Sequence, residues 1–217
     1  MARRVRNYVY TYETIMLETL ALLGRTMGFS FAAGINLYAT VAILGLAERF
    51  GWVDLPEQFR VFDNDVVIGV ALVLYVIEFV ADKVPWVDSI WDAVHTVVRP
   101  IGGAVLAVAT LGDASPAVKG LVALLGGALA TGTHLTKAGT RAAANTSPEP
   151  FSNWALSLGE DVFVIGLSAL ALTYPLAAGL VVILGVVVMF AFAAWIVRAV
   201  RRRWGTPPPS ASLPLGV

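Results

Sequence analysis

The sequence predicts an all-α, integral membrane helical bundle of about six transmembrane helices, and three observations carry that prediction. First, 58% of its 217 residues are hydrophobic and only 14% charged, with a mean hydropathy of +0.76, where a soluble domain carries about 25% charged residues. Second, apolar runs of near-spanning length recur along the chain. Third, arginine clusters stand near both ends, Arg3, Arg4 and Arg6 at one and Arg198, Arg201, Arg202 and Arg203 at the other. Fifteen basic and fifteen acidic residues cancel, so bulk charge gives no reason to expect a nucleic-acid partner. The absence of cysteine excludes disulfides, thiolate metal sites and a thiol nucleophile.

Residues 1–26 begin with a basic stretch like a signal peptide, but tyrosines, Glu13 and Glu18 interrupt what would be its apolar core. This segment is expected to be an uncleaved amphipathic helix at the membrane interface. One transmembrane domain follows, residues 27–204, with candidate halves 27–112 and 117–200, and then a disordered proline-rich tail, 205–217. The first span is GFSFAAGINLYATVAILGLAE, residues 28–48, and an acid-rich loop separates it from the second, Val66 to Ala81. The last two spans start at Trp154 and Leu176.

The middle of the chain is harder to divide. The run IGGAVLAVATLG, 101–112, would rise only ~18 Å, too little to cross a hydrocarbon core of ~30 Å. VKGLVALLGGALATG, 118–132, is also short. Both reach full length only by borrowing polar neighbours, residues 86–99 before the first and THLTKAGTRAAAN after the second. Spans three and four are then each half apolar and half polar. An even number of crossings puts both arginine clusters on one side, the cytoplasmic one by the positive-inside rule. The expected location is a bacterial cytoplasmic membrane, with both termini cytoplasmic.

A weak internal echo suggests duplication. Gly34, Asn36 and Leu37 match Gly132, His134 and Leu135 at a spacing of 98, and VVIG at 66 matches FVIG at 163 at a spacing of 97. Copies of a three-helix unit must insert with opposite topology, which predicts an inverted repeat.

The borrowed stretches gather the ionisable groups. On a helix Asp88, Asp92, His95 and Arg99 are spaced 4, 3 and 4 and share one face. Pro85 and Pro100 bracket them; each suits a first helical turn, and Pro100 could instead kink one continuous helix. Glu78 and Asp82, four apart, end span two, with Lys83 beside them. His134, Lys137 and Arg141 form a stripe on span four, the loop after it adds Asn145, Glu149 and Asn153, and span five adds Glu160 and Asp161. If residues 86–99 lie inside the bilayer, each charge costs ~2.5–3.5 kcal/mol at its centre and must face protein and find a partner. The alternative is an interfacial helix with Trp86 and Trp91 at headgroup depth.

Other signals say less. Asp92 and His95 form half of a carboxylate and histidine metal motif with no second copy, so no metal or other cofactor is expected. GGALATG suits close helix packing, and Asn36 suits a hydrogen bond between helices.

The elements D-K-x-P, W-D, R-P-x-x-G and N-T-S-P-E-P-F-S-N, within EFVADKVPWVDSIWDAVHTVVRPIGGA and THLTKAGTRAAANTSPEPFSNWALSLGEDV, resemble the bacterial membrane family known as domain of unknown function 4126. The resemblance runs from about Gly28 to Arg203. It implies a small polytopic membrane protein and supplies no activity and no catalytic residues.

The residues point first to a transporter or channel for a small polar or charged solute. Its acids and histidines would take a cation or proton, and Arg99, Lys137 and Arg141 an anionic group such as phosphate or carboxylate. Two other classes stay open. One is a structural or assembly protein whose salt-bridge network sets helix register; the other is a membrane enzyme that acts on lipid headgroups with the acids and His95 as general acid and base. The partners expected are the lipid bilayer and either a small polar or anionic solute or a lipid headgroup; the oligomeric state is left open.

Overall fold

A computed structural model describes residues 2–144 and 151–204. The expected tail, 205–217, and the loop residues Asn145 and Glu149 lie outside the described residues. The helices are α1 (Ala2–Ile35), α2 (Leu37–Arg49), α3 (Asp65–Ala81), α4 (Pro85–Ala109), α5 (Pro116–Ala144), α6 (Phe151–Thr173) and α7 (Pro175–Trp204), with a short 3-10 turn, Glu57–Phe62, before α3. There is no strand among the described residues.

Local chemistry explains several boundaries. Val84 is extended and Pro85 occupies the first turn of α4, where a missing N–H removes no helical bond. Asn64 caps α3 by accepting from the N–H groups of Val66 and Val67. The borrowing of polar neighbours takes place as expected. α4 joins residues 86–99 to 101–109 and runs through Pro100, and α5 joins its apolar and polar halves in one helix. At 25 and 29 residues they are ~37 and ~43 Å long.

Five stretches are long and apolar enough to cross a membrane: Tyr12–Ile35, Trp86–Ala109, Pro116–Ala144, Asn153–Thr173 and Pro175–Arg202. The chain is an integral membrane helical bundle. Its lipid-facing surface is apolar, with Val94, Val97, Ile101, Leu124, Val162 and Leu184 all more than half exposed.

Contacts along the helices fix their directions. Thr26 bonds Thr110 at 2.7 Å, and Ser30 reaches the Gly103 carbonyl at 3.3 Å, so α1 and α4 run antiparallel. α1 runs parallel to α7: Gly24 meets Pro175 and Gly179, Gly28 meets Ala178, and Phe31 meets Gly185. It also runs parallel to α5, with Ser30 at Gly126 and Gly34 at Thr133 and Ala130. α2 runs antiparallel to α3, since Gly45 packs on Ile68 while Leu37 and Tyr38 share a cavity with Ala71 and Leu74.

These directions correct the expected first span. Residues 28–48 do not form one crossing helix. Asn36 is extended, with φ −147° and ψ 98°, and there the chain turns back, so α1 and α2 form a hairpin whose two legs open toward the same end of the bundle. The legs inside the bundle, 24–35 and 37–49, are each shorter than ~20 Å. α1 is continuous from residue 2, and among the residues whose burial is described the first buried one is Gly24.

Because α1 and α7 pack parallel, the start of α1 and the end of α7 point toward opposite ends of the bundle. The first match behind the expected inverted repeat places Gly34 on α1, Asn36 at the break and Leu37 on α2 against α5, and the second sets α3 against α6.

Candidate functional site

α4 and α5 cross closely because small residues face each other. A Cβ on Gly126 would collide with the side chain of Ala107, and one on Gly103 with Ala130. The GGALATG segment is thus the close-packing face that its composition suggests. From that crossing toward the other end of α4, the facing positions change from glycine and alanine to charge.

Arg99 is fully buried and stands at the changeover. It donates to Glu78 Oε1 at 2.6 Å, to the Gly34 carbonyl at 3.3 Å and to His134 Nδ1 at 2.7 Å. A guanidinium can only donate, so His134 Nδ1 carries no proton; the neutral ring holds its proton on Nε2, 3.1 Å from Thr96 Oγ1. Lys137 reaches Glu78 at 3.3 Å, Asp82 at 3.2 Å, the Ile35 carbonyl at 3.2 Å and Glu160 at 3.5 Å. Arg141 grips Glu160 through two bonds, of 3.2 and 2.6 Å, and holds both the carboxylate and the carbonyl of Asp82 at 2.9 Å.

The break at Asn36 completes the network. Ending α1 there frees the carbonyls of Gly34 and Ile35 from helical partners, and Arg99 and Lys137 take them. A helix C-terminus carries roughly half a negative charge, so the cations suit that position. Asn36 Oδ1 caps α2 at the Ala39 N–H, and its Nδ2 donates to Asp161 Oδ1 at 3.3 Å. Asn36 therefore does make the expected bond between helices, and also creates a helix end that the sequence reading missed.

Of the predicted residues, Glu78, Asp82, Asp92, Arg99, Lys137, Arg141 and Glu160 join in one network of ion pairs, with His134 bonded to Arg99. Asp88 is buried 3.9 Å from Arg141, and Asn153 is buried. Two residues stand apart. His95 donates from Nδ1 to the Trp91 carbonyl at 2.7 Å and meets the Tyr38 hydroxyl through Nε2 at 2.9 Å, with its ring stacked on Trp91. Lys83 is half-buried, bonded to the Phe79 carbonyl and Ser157 and set over the Phe79 ring. The stripe on α4 faces the stripe on α5, but the main partners of Lys137 and Arg141 come from α3 and α6.

The balance of charge is uneven. Six carboxylates, Glu78, Asp82, Asp88, Asp92, Glu160 and Asp161, stand against four cations, Lys83, Arg99, Lys137 and Arg141. Among the described residues, acidic side chains therefore outnumber basic ones in this cluster by two. Both oxygens of Asp88, Oδ1 of Asp92 and Oδ2 of Asp161 accept no hydrogen bond. The contact of Asp92 with Arg99, 3.7 Å, is too long for one.

Two cavities reach the network. One of about 260 Å³ lies between α4 and α5 and is lined by Asp88, Asp92, Thr96 and Arg141. The other, about 450 Å³, lies among α1, α5, α6 and α7 and is mainly apolar, with Lys137, Glu160 and three threonines of α5 in its wall. Among the described residues no three His, Asp or Glu side chains come together as a metal site.

These features define an all-α membrane helical bundle with a charged interior gathered around the break between α1 and α2. A family model described as domain of unknown function (DUF4126) matches residues 23–198, and the chain belongs to that family. No curated protein and no solved structure matches it.

Proposed function

We propose that the protein is a carrier or channel that moves a small polar or charged solute across a bacterial cytoplasmic membrane, with a proton or another cation as the coupling species. One observation supports this above the rest: an acid-rich, buried network is gathered around a helix broken inside the bundle. Broken helices with ionisable partners suit ion and solute sites, because unwound backbone is tolerated at membrane depth only where it meets protein or a cavity. The proposal narrows the expectation from sequence. Arg99, Lys137 and Arg141 are already occupied by carboxylates and carbonyls, so the excess acid favours a cation over a bound anionic group.

The test is flux in proteoliposomes across a broad panel of solutes, with and without a proton or sodium gradient. Gradient-driven uptake that Asp92→Asn abolishes in a folded protein supports the reading. No flux for any solute, with Asp92→Asn and Arg141→Gln changing only stability, sinks it.

The saturation of the three bases favours a second reading, a structural network that fixes helix register. Under it, replacing the whole charge set with apolar residues of matched volume leaves cell growth unchanged.

A further inference from the structure

We infer that the cavity of about 260 Å³ between α4 and α5 is a binding site for a small monovalent cation, held by Asp88 and Asp92. Asp88 is 1% exposed and Asp92 6%. Both line the cavity, and three of their four carboxylate oxygens accept no hydrogen bond. A buried carboxylate without donors is costly unless a positive charge meets it.

The neighbouring cations do not fill that role. Arg141 passes Asp88 at 3.9 Å while its short bonds go to Asp82 and Glu160. Arg99 stands 3.7 Å from Asp92 while bonded to Glu78 and His134. Lys137 is shared among Glu78, Asp82 and Glu160. Asp82, at the end of α3, adds more negative charge beside Arg141. Two hydroxyls of α4 line the cavity, Ser89 and Thr96, and that of Thr96 is engaged with the Asp92 carbonyl and His134. Divalent ions take six or more oxygens, or keep a shell of their own water. Two carboxylates beside an arginine instead suit one positive charge: a hydrogen ion shared by the acids, or an alkali metal ion. The carrier reading enters only in what the ion does there, which is to couple transport.

The experiment is thermal unfolding of the detergent-purified chain at constant ionic strength. One series replaces choline with lithium, sodium or potassium; the other runs in choline from about pH 9 to about pH 5. Asp88→Asn, Asp92→Asn and the cavity-filling Ala138→Leu are measured beside the wild type. The expected result is a rise in Tm of at least about 3 °C in one series, lost in Asp88→Asn and reduced in the other two. A response to an alkali ion identifies the metal source, and a response to acid alone identifies the proton.

The site is overturned if the wild type responds in neither series, or if the variants follow it in both. Should Asp88→Asn fail to fold, Asp92→Asn and Ala138→Leu decide by the same criterion. A response in detergent without flux in liposomes keeps the site and removes the carrier reading. Coupled flux with no such response does the reverse.

Discussion

The two ends of the α4 and α5 crossing are held together by different means. At one end Gly103, Ala107, Gly126 and Ala130 fit against each other without a charge between them. At the other, Asp88, Asp92 and Arg99 face His134, Lys137 and Arg141, and the helices are bound through shared acids from α3 and α6. Shape fixes the first end, and it tolerates no added volume. Charge organises the second, where two cavities persist. In a bilayer, apolar packing gains little from the hydrophobic effect because lipid tails are equally apolar, so close fit has to hold the first end.

Breaking the charged end should have the largest effect. Arg99→Met leaves Glu78 buried against Lys137 alone and removes the donor to His134, so a loss of about 3–5 kcal/mol is expected, read as lost monodispersity or an early unfolding transition. The double change with Glu78→Gln should recover a substantial part of it. Gly126→Ala tests the other end. Its new methyl meets Ala107, the Gly103 carbonyl and Ser30, and overpacking of this kind costs about 1–3 kcal/mol. Unlike Arg99→Met, it should show no recovery with any charge change. Asn36→Ala removes the cap of α2 and the bond to Asp161; about 1 kcal/mol is expected, with altered ion response if the break serves the site. Leu124→Ala, on the exposed lipid face, should stay within about 0.5 kcal/mol.

One measurement sharpens the geometry instead of the energy. Cysteines introduced one at a time at Tyr12 and Val200 into this cysteine-free chain should react with impermeant reagents from opposite sides of the membrane. Labelling of both from one side contradicts the parallel packing of α1 and α7.

Much of the site could be read from sequence because it depends on arithmetic. A run of twelve apolar residues cannot cross alone, so the polar residues beside it had to enter the bundle, and helical spacing then put Asp88, Asp92 and Arg99 on one face. The fault at Asn36 was harder to see. An asparagine inside an apolar run reads equally as a packed polar residue and as a cap, and Gly34 two residues before it reads equally as a close-packing contact and as a helix end. His95 shows the converse: its spacing places it with the acids, yet Tyr38, brought in by the reversed α2, draws it away.

Composition and periodicity by themselves determined that the chain is helical, lies in a membrane and carries its charges on helix faces, because burying an unpaired charge in lipid costs more than any local preference can offset. Only the tertiary structure decided which charges meet, that α1 stops and turns inside the bundle, and that α1 and α7 run parallel. Those outcomes depend on the direction each helix takes past its neighbours, and the spacing of residues along one helix does not encode that direction.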